Sequence, residues 1–81
     1  MSELKREYIA VQARVIDKSV VLDLINGASF SFPVSMYERL NSATPEQLQE
    51  VKLRVGGRAL RWESIDEDIW IADVILQRLP C

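Results

Sequence analysis

From Tyr8 to Ile16 apolar side chains fall on every second residue, at Ile9, Val11, Ala13 and Val15, with Gln12 and Arg14 between them. A period of two predicts a strand with one buried face. With Asp17-Lys18 as a two-residue turn, antiparallel pairing sets Val15 opposite Val20, Ala13 opposite Leu22 and Val11 opposite Leu24 on that face. Asn26-Gly27 marks the next turn. A two-residue Asn-Gly loop would set Leu22 and Leu24 against Ser31 and Ser29 and mix the faces. A three-residue loop, Ile25-Asn26-Gly27 with Gly27 left-handed, sets Leu22 opposite Phe30 and Val20 opposite Phe32. That register is the one expected, because a slip of one residue inverts a whole strand. It places Ala10, Ile16, Val21 and Ile25 on the outer side of a three-stranded meander.

Pro33 has no N–H to give and ends the third strand. Ser35 and Glu38 have capping-box spacing and predict a short helix offering Met36, Tyr37 and Leu40 to the core. Thr44-Pro45-Glu46-Gln47 predicts a second helix start, with a Thr N-cap, Pro at N1 and Gln at N3. The segment 51-VKLRVGGRALRW-62 then reads as a hairpin turning at Gly56-Gly57. Leu53 faces Leu60 and Val51 faces Trp62 on one side, while Lys52 faces Arg61 and Arg54 faces Ala59 on the other. Residues 69–71 fit either a short strand or a helix start. Ile71, Val74, Ile75 and Leu79 have helical spacing and predict a terminal helix of about two turns up to Pro80.

Composition limits the chemistry. The chain has 81 residues, 48% hydrophobic and 27% charged, which suits one globular domain over residues 1–81 with the first seven expected to be disordered. The net charge of −2 argues against a nucleic-acid binder. No apolar run is long enough to cross a bilayer, and MSELKREYIA lacks the apolar core of a secretory signal, so a cytoplasmic location is expected. With no histidine, Ser–His–Asp and Cys–His catalysis and His-containing zinc sites are excluded. The single cysteine, Cys81, cannot form an internal disulfide.

Four groups of residues remain as candidates. Glu63, Asp66, Glu67 and Asp68 could hold a divalent cation, supply an acid–base pair or face a partner, but the calcium-loop pattern is absent. Their plainer role is structural, with Ser64 and Glu67 capping a helical turn whose dipole favours carboxylates. Lys52, Arg54 and Arg61, with Arg58 near the turn, form a basic strip that could take an anion, either on an acidic protein or on RNA. The plainer alternative is a solvated face answered by carboxylates from a neighbouring strand. Trp62 shares the Leu60 face and is expected in the core, whereas Trp70 alternates away from Ile69 and Ile71 and would suit an interface anchor. The outer face of the meander, with Ile16, Val21 and Ile25, is more apolar than a lone monomer needs and predicts a dimer or partner contact.

The order LDLINGASFSFP, a short helix with a Leu, 51-VKLRVGGRALRW-62 and 65-IDEDI-69 resembles the bacterial family called domain of unknown function 2442, over roughly residues 8–76. Family members often carry an aspartate after the turn glycine and a glycine before the I-D element. Ala28-Ser29 and Ser64 stand there, which marks a divergent member. The resemblance implies a small α+β domain and no activity. Some relatives look like halves of two-gene pairs resembling toxin–antitoxin modules; others carry a C-terminal helix-turn-helix domain, a DNA-binding role that does not carry over to this chain.

These readings converge on an α+β fold: a three-stranded antiparallel meander plus a second β-hairpin, packed with two or three short helices. The expected function is a non-enzymatic protein-interaction module, self-associating or the antitoxin-like or accessory half of a two-gene pair. Its contact residues would be Ile16, Val21, Ile25 and Trp70. No cofactor, metal, membrane or small-molecule substrate is expected. The alternatives are nucleic-acid binding through Lys52, Arg54, Arg58 and Arg61, and an acidic metal or catalytic site at 63–68.

Overall fold

The computed structural model describes residues 8–76 and contains two three-stranded antiparallel sheets with three short helices, an α+β fold. The first sheet is the meander of β1 (Ala10–Ile16), β2 (Ser19–Leu24) and β3 (Ser29–Pro33). Asp17 and Lys18 take φ of 52° and 66°, the left-handed pair that a tight hairpin turn requires. Val15 pairs with Val20 and Ala13 with Leu22, as the alternation predicts. The three-residue loop also stands: Val20 pairs with Phe32, Leu22 with Phe30, and Gly27 has φ 93°. Asn26 Oδ1 accepts from the N–H of Ala28 at 2.9 Å and ties the loop across itself.

One pairing differs. Leu24 lies opposite Ala10 rather than Val11, because β1 bulges between Ala10 and Gln12. Ala10 is therefore buried, not on the outer face, and Val11 is 58% exposed. The Ala10 N–H donates to the carbonyl of Gly57 at 2.8 Å, so the start of β1 is docked against the turn of the second sheet. An extra residue lets Ala10 turn that way while Ala13 and Val15 keep facing the core.

After Pro33 a 3₁₀ turn covers Val34–Met36, and α1 (Glu38–Asn41) begins with Tyr37 as its N-cap. The expected capping box at Ser35 and Glu38 is absent, since Ser35 lies inside that turn whereas an N-cap must be extended, as Tyr37 is. At α2 (Pro45–Leu48) the expected box is present in both directions. Thr44 Oγ1 accepts from the Gln47 N–H at 3.1 Å, and Gln47 Oε1 accepts from the Thr44 N–H at 2.9 Å.

The second hairpin is β4 (Lys52–Arg54) and β5 (Ala59–Trp62), with Lys52 opposite Arg61, Leu53 opposite Leu60 and Arg54 opposite Ala59. Residues 69–71 divide. Ile69 and Trp70 belong to β6 (Glu67–Trp70), which pairs with β5, and Ile71 opens α3 (Ile71–Ile75). The hairpin is thus completed to a full sheet in which β5 is central. Ser64 and Glu67 do not cap a helix, because the chain passes from a 3₁₀ turn at Glu63–Ile65 into a strand. The expectations for residues 1–7, for the helix beyond Leu76 and for Cys81 lie outside the described residues.

Both sheets turn an apolar face to one core. Val20, Leu22 and Phe32 meet Leu60, Trp62 and Ile69 there, with Leu40, Leu48, Ile71 and Val74 filling the sides. Trp62 is fully buried and its indole N–H donates to the carbonyl of Leu48 at 3.0 Å. A Trp pays no desolvation penalty when its one donor is so matched. Among the described residues no helix is long and apolar enough to cross a membrane.

Candidate functional site

Because Leu53, Leu60 and Ile69 point inward, their strand neighbours form the outer face of the second sheet. Two rows cross it. Lys52, Arg61 and Asp68 make one; Arg54, Ala59 and Trp70 make the other. Trp70 is 51% exposed and Val55, at the start of the turn, is 56% exposed. Together with Arg54, Ala59, Arg61 and Asp68 they line an open depression of about 440 Å³.

Arg61 organises the acidic stretch. Its Nε donates to Glu63 Oε1 at 2.9 Å, Nη2 to Asp66 Oδ1 at 2.9 Å and Nη1 to Asp68 Oδ2 at 2.7 Å. The local backbone explains how three carboxylates reach one guanidinium. The 3₁₀ turn lifts Glu63 beside Arg61, and Asp66 then takes φ 53° and sends the chain back along β5. Arg39 of α1 holds this reversal by donating Nη1 to the carbonyls of Asp66 at 2.8 Å and Ile65 at 3.3 Å. Hydrogen bonds from Arg61 hold the Glu63 and Asp66 carboxyls below the usual carboxylate range and push the guanidinium's own proton affinity up. Glu67 lies opposite Trp62, and partial burial pushes its carboxyl up. Tyr37 is pushed up by burial too, with the charges of Asp73 and Glu67 adding to the effect. Three carboxylates that converge on an arginine are already neutralised in part, and among the described residues no group of acidic or sulfur ligands is placed to hold a metal ion.

The expected basic strip is therefore split. Arg61 is engaged by three carboxylates of its own chain, and Arg58 lies beside the turn, with Nη1 donating to the Val55 carbonyl at 3.3 Å. Lys52 and Arg54 remain exposed on β4 with no ion pair among the described residues. The expected apolar patch is dispersed as well. Ile16 and Ile25 are 52% and 65% exposed, but they sit at opposite ends of the first sheet. Between them Arg14 pairs with Asp23 at 2.6 Å, Ser29 donates to the same carboxylate at 3.3 Å, and Val21 is half-buried. Trp70 lies on the other sheet. Val55 was not singled out by the alternation, since a β-branched residue at φ 54° before two glycines is not what a turn pattern leads one to expect.

A second depression, about 370 Å³, opens between the first sheet and the short helices, with Val15, Val34, Leu40, Pro45 and Leu48 among its walls. It is mainly apolar. Beside it Gln49 Nε2 donates to the carbonyl of Val15 at 3.0 Å, bracing β1 against the segment after α2.

A family model described as "Protein of unknown function (DUF2442)" matches residues 10–76. No curated protein matches the chain. The crystal structure of a protein of unknown function from Rhodospirillum rubrum is similar, with 29% identity, a TM-score of 0.87 and coverage of 94% of each chain. The solution NMR structure of an uncharacterized protein from Chromobacterium violaceum shares the fold, with 24% identity and a TM-score of 0.79 over 99% of this chain and 76% of that one.

Proposed function

The chain belongs to the DUF2442 family of proteins of unknown function, and we propose that it is a non-enzymatic protein-interaction module acting through the outer face of its second sheet. The observation that carries this reading is Trp70. It is held on a regular strand, half in water, beside an exposed Val55 and a cation without an ion pair among the described residues. Tryptophan and arginine dominate binding energy at protein interfaces because they combine large apolar area with a polar handle. A half-exposed Trp on a rigid edge strand loses little freedom when covered, which favours association. The carboxylates of the acidic stretch serve Arg61 in this reading, and the first sheet's outer face contributes solubility.

A photo-activated cross-linking residue placed at position 70, and at Ser31 on the first sheet as a control, tests this in the native cell. The expected result is a discrete adduct from position 70 and none from position 31. The adduct's mass tells a second copy from another gene product. Absence of any adduct at position 70 would sink the proposal.

A further inference from the structure

We infer that the partner seated on this face is a second copy of the chain, related by a two-fold axis that lies in the interface and runs parallel to β5. This rests on the interaction reading above and gives it an occupant. The argument is one of register and charge. The outer face carries three cations, Lys52, Arg54 and Arg61, and three carboxylates, Glu63, Asp66 and Asp68. It is neutral as a whole but divided, with Lys52 and Arg54 along β4 and the carboxylates gathered at the β6 side and the turn before it. A surface that binds its own copy must complement itself under rotation, and a divided face does so.

The axis follows from the two rows. Rotation about a line along β5 lays β4 of each copy over β6 of the other. Lys52 then meets Asp68 of the second copy, and Arg54 meets the ring of its Trp70. Both contacts are favourable, the first an ion pair and the second a cation over an aromatic face. Asp68 engages Arg61 through Oδ2 alone, which leaves Oδ1 for a second donor. Ala59, at the centre of its row, is already buried beneath its neighbours and puts no long side chain between the two sheets. Arg61 meets Arg61, each already wrapped by its own carboxylates. The other in-plane axis, across the strands, exchanges the rows instead. It would stack Lys52 on Arg54 of the second copy and Asp68 on Trp70, so like charges oppose it.

Sedimentation velocity on the full chain, at low and high salt, tests the pairing with two charge reversals. Wild type is expected to be a dimer that weakens as salt rises. Lys52→Glu alone and Asp68→Lys alone each place like charges face to face, and each is expected to weaken dimerisation roughly tenfold or more. An equimolar mixture of the two variants restores both contacts in a heterodimer and is expected to recover wild-type association. Circular dichroism checks that each variant is folded. A dimer indifferent to both reversals, or a mixture that stays monomeric, overturns the inference. So does a wild-type monomer. In that last case adducts from position 70 with a different protein would leave the interaction reading standing, while none at all would end both.

Discussion

Gly57 shows how one backbone atom can join two sheets. It has φ 89°, is buried, and its carbonyl accepts the Ala10 N–H at 2.8 Å. A Cβ there would press on the Ala10 carbonyl oxygen and lie 2.9 Å from Ile9 Cγ2. Gly27 has a similar φ of 93° with nothing within 4 Å of its missing Cβ. The two positions therefore separate conformational cost from crowding. Gly27→Ala is expected to destabilise by about 1–2 kcal/mol, the cost of a left-handed residue with a side chain. Gly57→Ala adds overpacking and is expected to cost roughly 2–5 kcal/mol; urea unfolding of both variants measures the difference. Lys18, at φ 66°, works in the other direction. Lys18→Gly relieves that left-handed strain against a smaller gain in unfolded-chain freedom, so a rise in stability of ~1 kcal/mol is expected. At this level the sequence was informative about turns and less so about sites. Asn26-Gly27 announces its own geometry. The carboxylate from a neighbouring strand expected to answer the basic strip is Asp68 of β6, at Arg61; that Glu63 and Asp66 join it is not legible, because their approach depends on a reversal at Asp66 that no glycine marks.

Registers were the most legible elements. Leu22 opposite Phe30 and Leu53 opposite Leu60 follow from keeping apolar residues on one face, since the alternative slip would bury serines or arginines. The bulge at Val11 escaped this reasoning because counting by twos cannot see an inserted residue; its cause, the contact between Ala10 and Gly57, is tertiary. Strand β6 was ambiguous because Ile69-Trp70-Ile71 is short and the acidic residues before it resemble a helix N-terminus. The structure gives those residues opposed electrostatic roles, which titration can separate. Glu63 and Asp66 are held low by Arg61, so their contribution to stability is present above the unfolded chain's carboxylate range, near pH ~4, and is lost as pH falls through their folded-state values. Glu67 is pushed up by burial, so folding disfavours its charged form. Its unfavourable effect develops as pH rises through that raised value and is absent once the group is protonated in both states. Glu67→Gln is accordingly expected to raise the neutral-pH Tm, on the order of a few °C, with the gain vanishing below the unfolded carboxylate range. Thermal melts of both proteins at pH 7 and pH 3 check it. An equal gain at both pH values would mean that burial of the charge is not the cause.

Two sheets of three strands would be marginal if each had to stand alone, and the contacts between them argue that they do not. The buried cluster is continuous from Val20, Leu22 and Phe32 to Leu60, Trp62 and Ile69. A backbone bond crosses the boundary from Ala10 N–H to the Gly57 carbonyl at 2.8 Å, and within the second sheet's side the Ile71 N–H donates to the Arg58 carbonyl at 3.0 Å, tying the start of α3 to the hairpin turn. Side chains add Trp62 to Leu48 and Gln49 to Val15, both at 3.0 Å, which fasten the segment around α2 to each sheet in turn. A chain joined in this way should open as one unit. Amide hydrogen exchange reads that directly, because β2 and β5 are the central strands of their sheets and exchange only when the fold opens. The amides of Val20 and Leu22 are expected to share one opening free energy with those of Leu60 and Trp62. Ile69→Val, which removes a single buried methyl from the second sheet, is expected to lower all four by the same amount, about 0.5–1.5 kcal/mol. If Leu60 and Trp62 lost protection while Val20 and Leu22 kept theirs, the sheets would be separate folding units, and the bond at Gly57 would hold two independent pieces side by side.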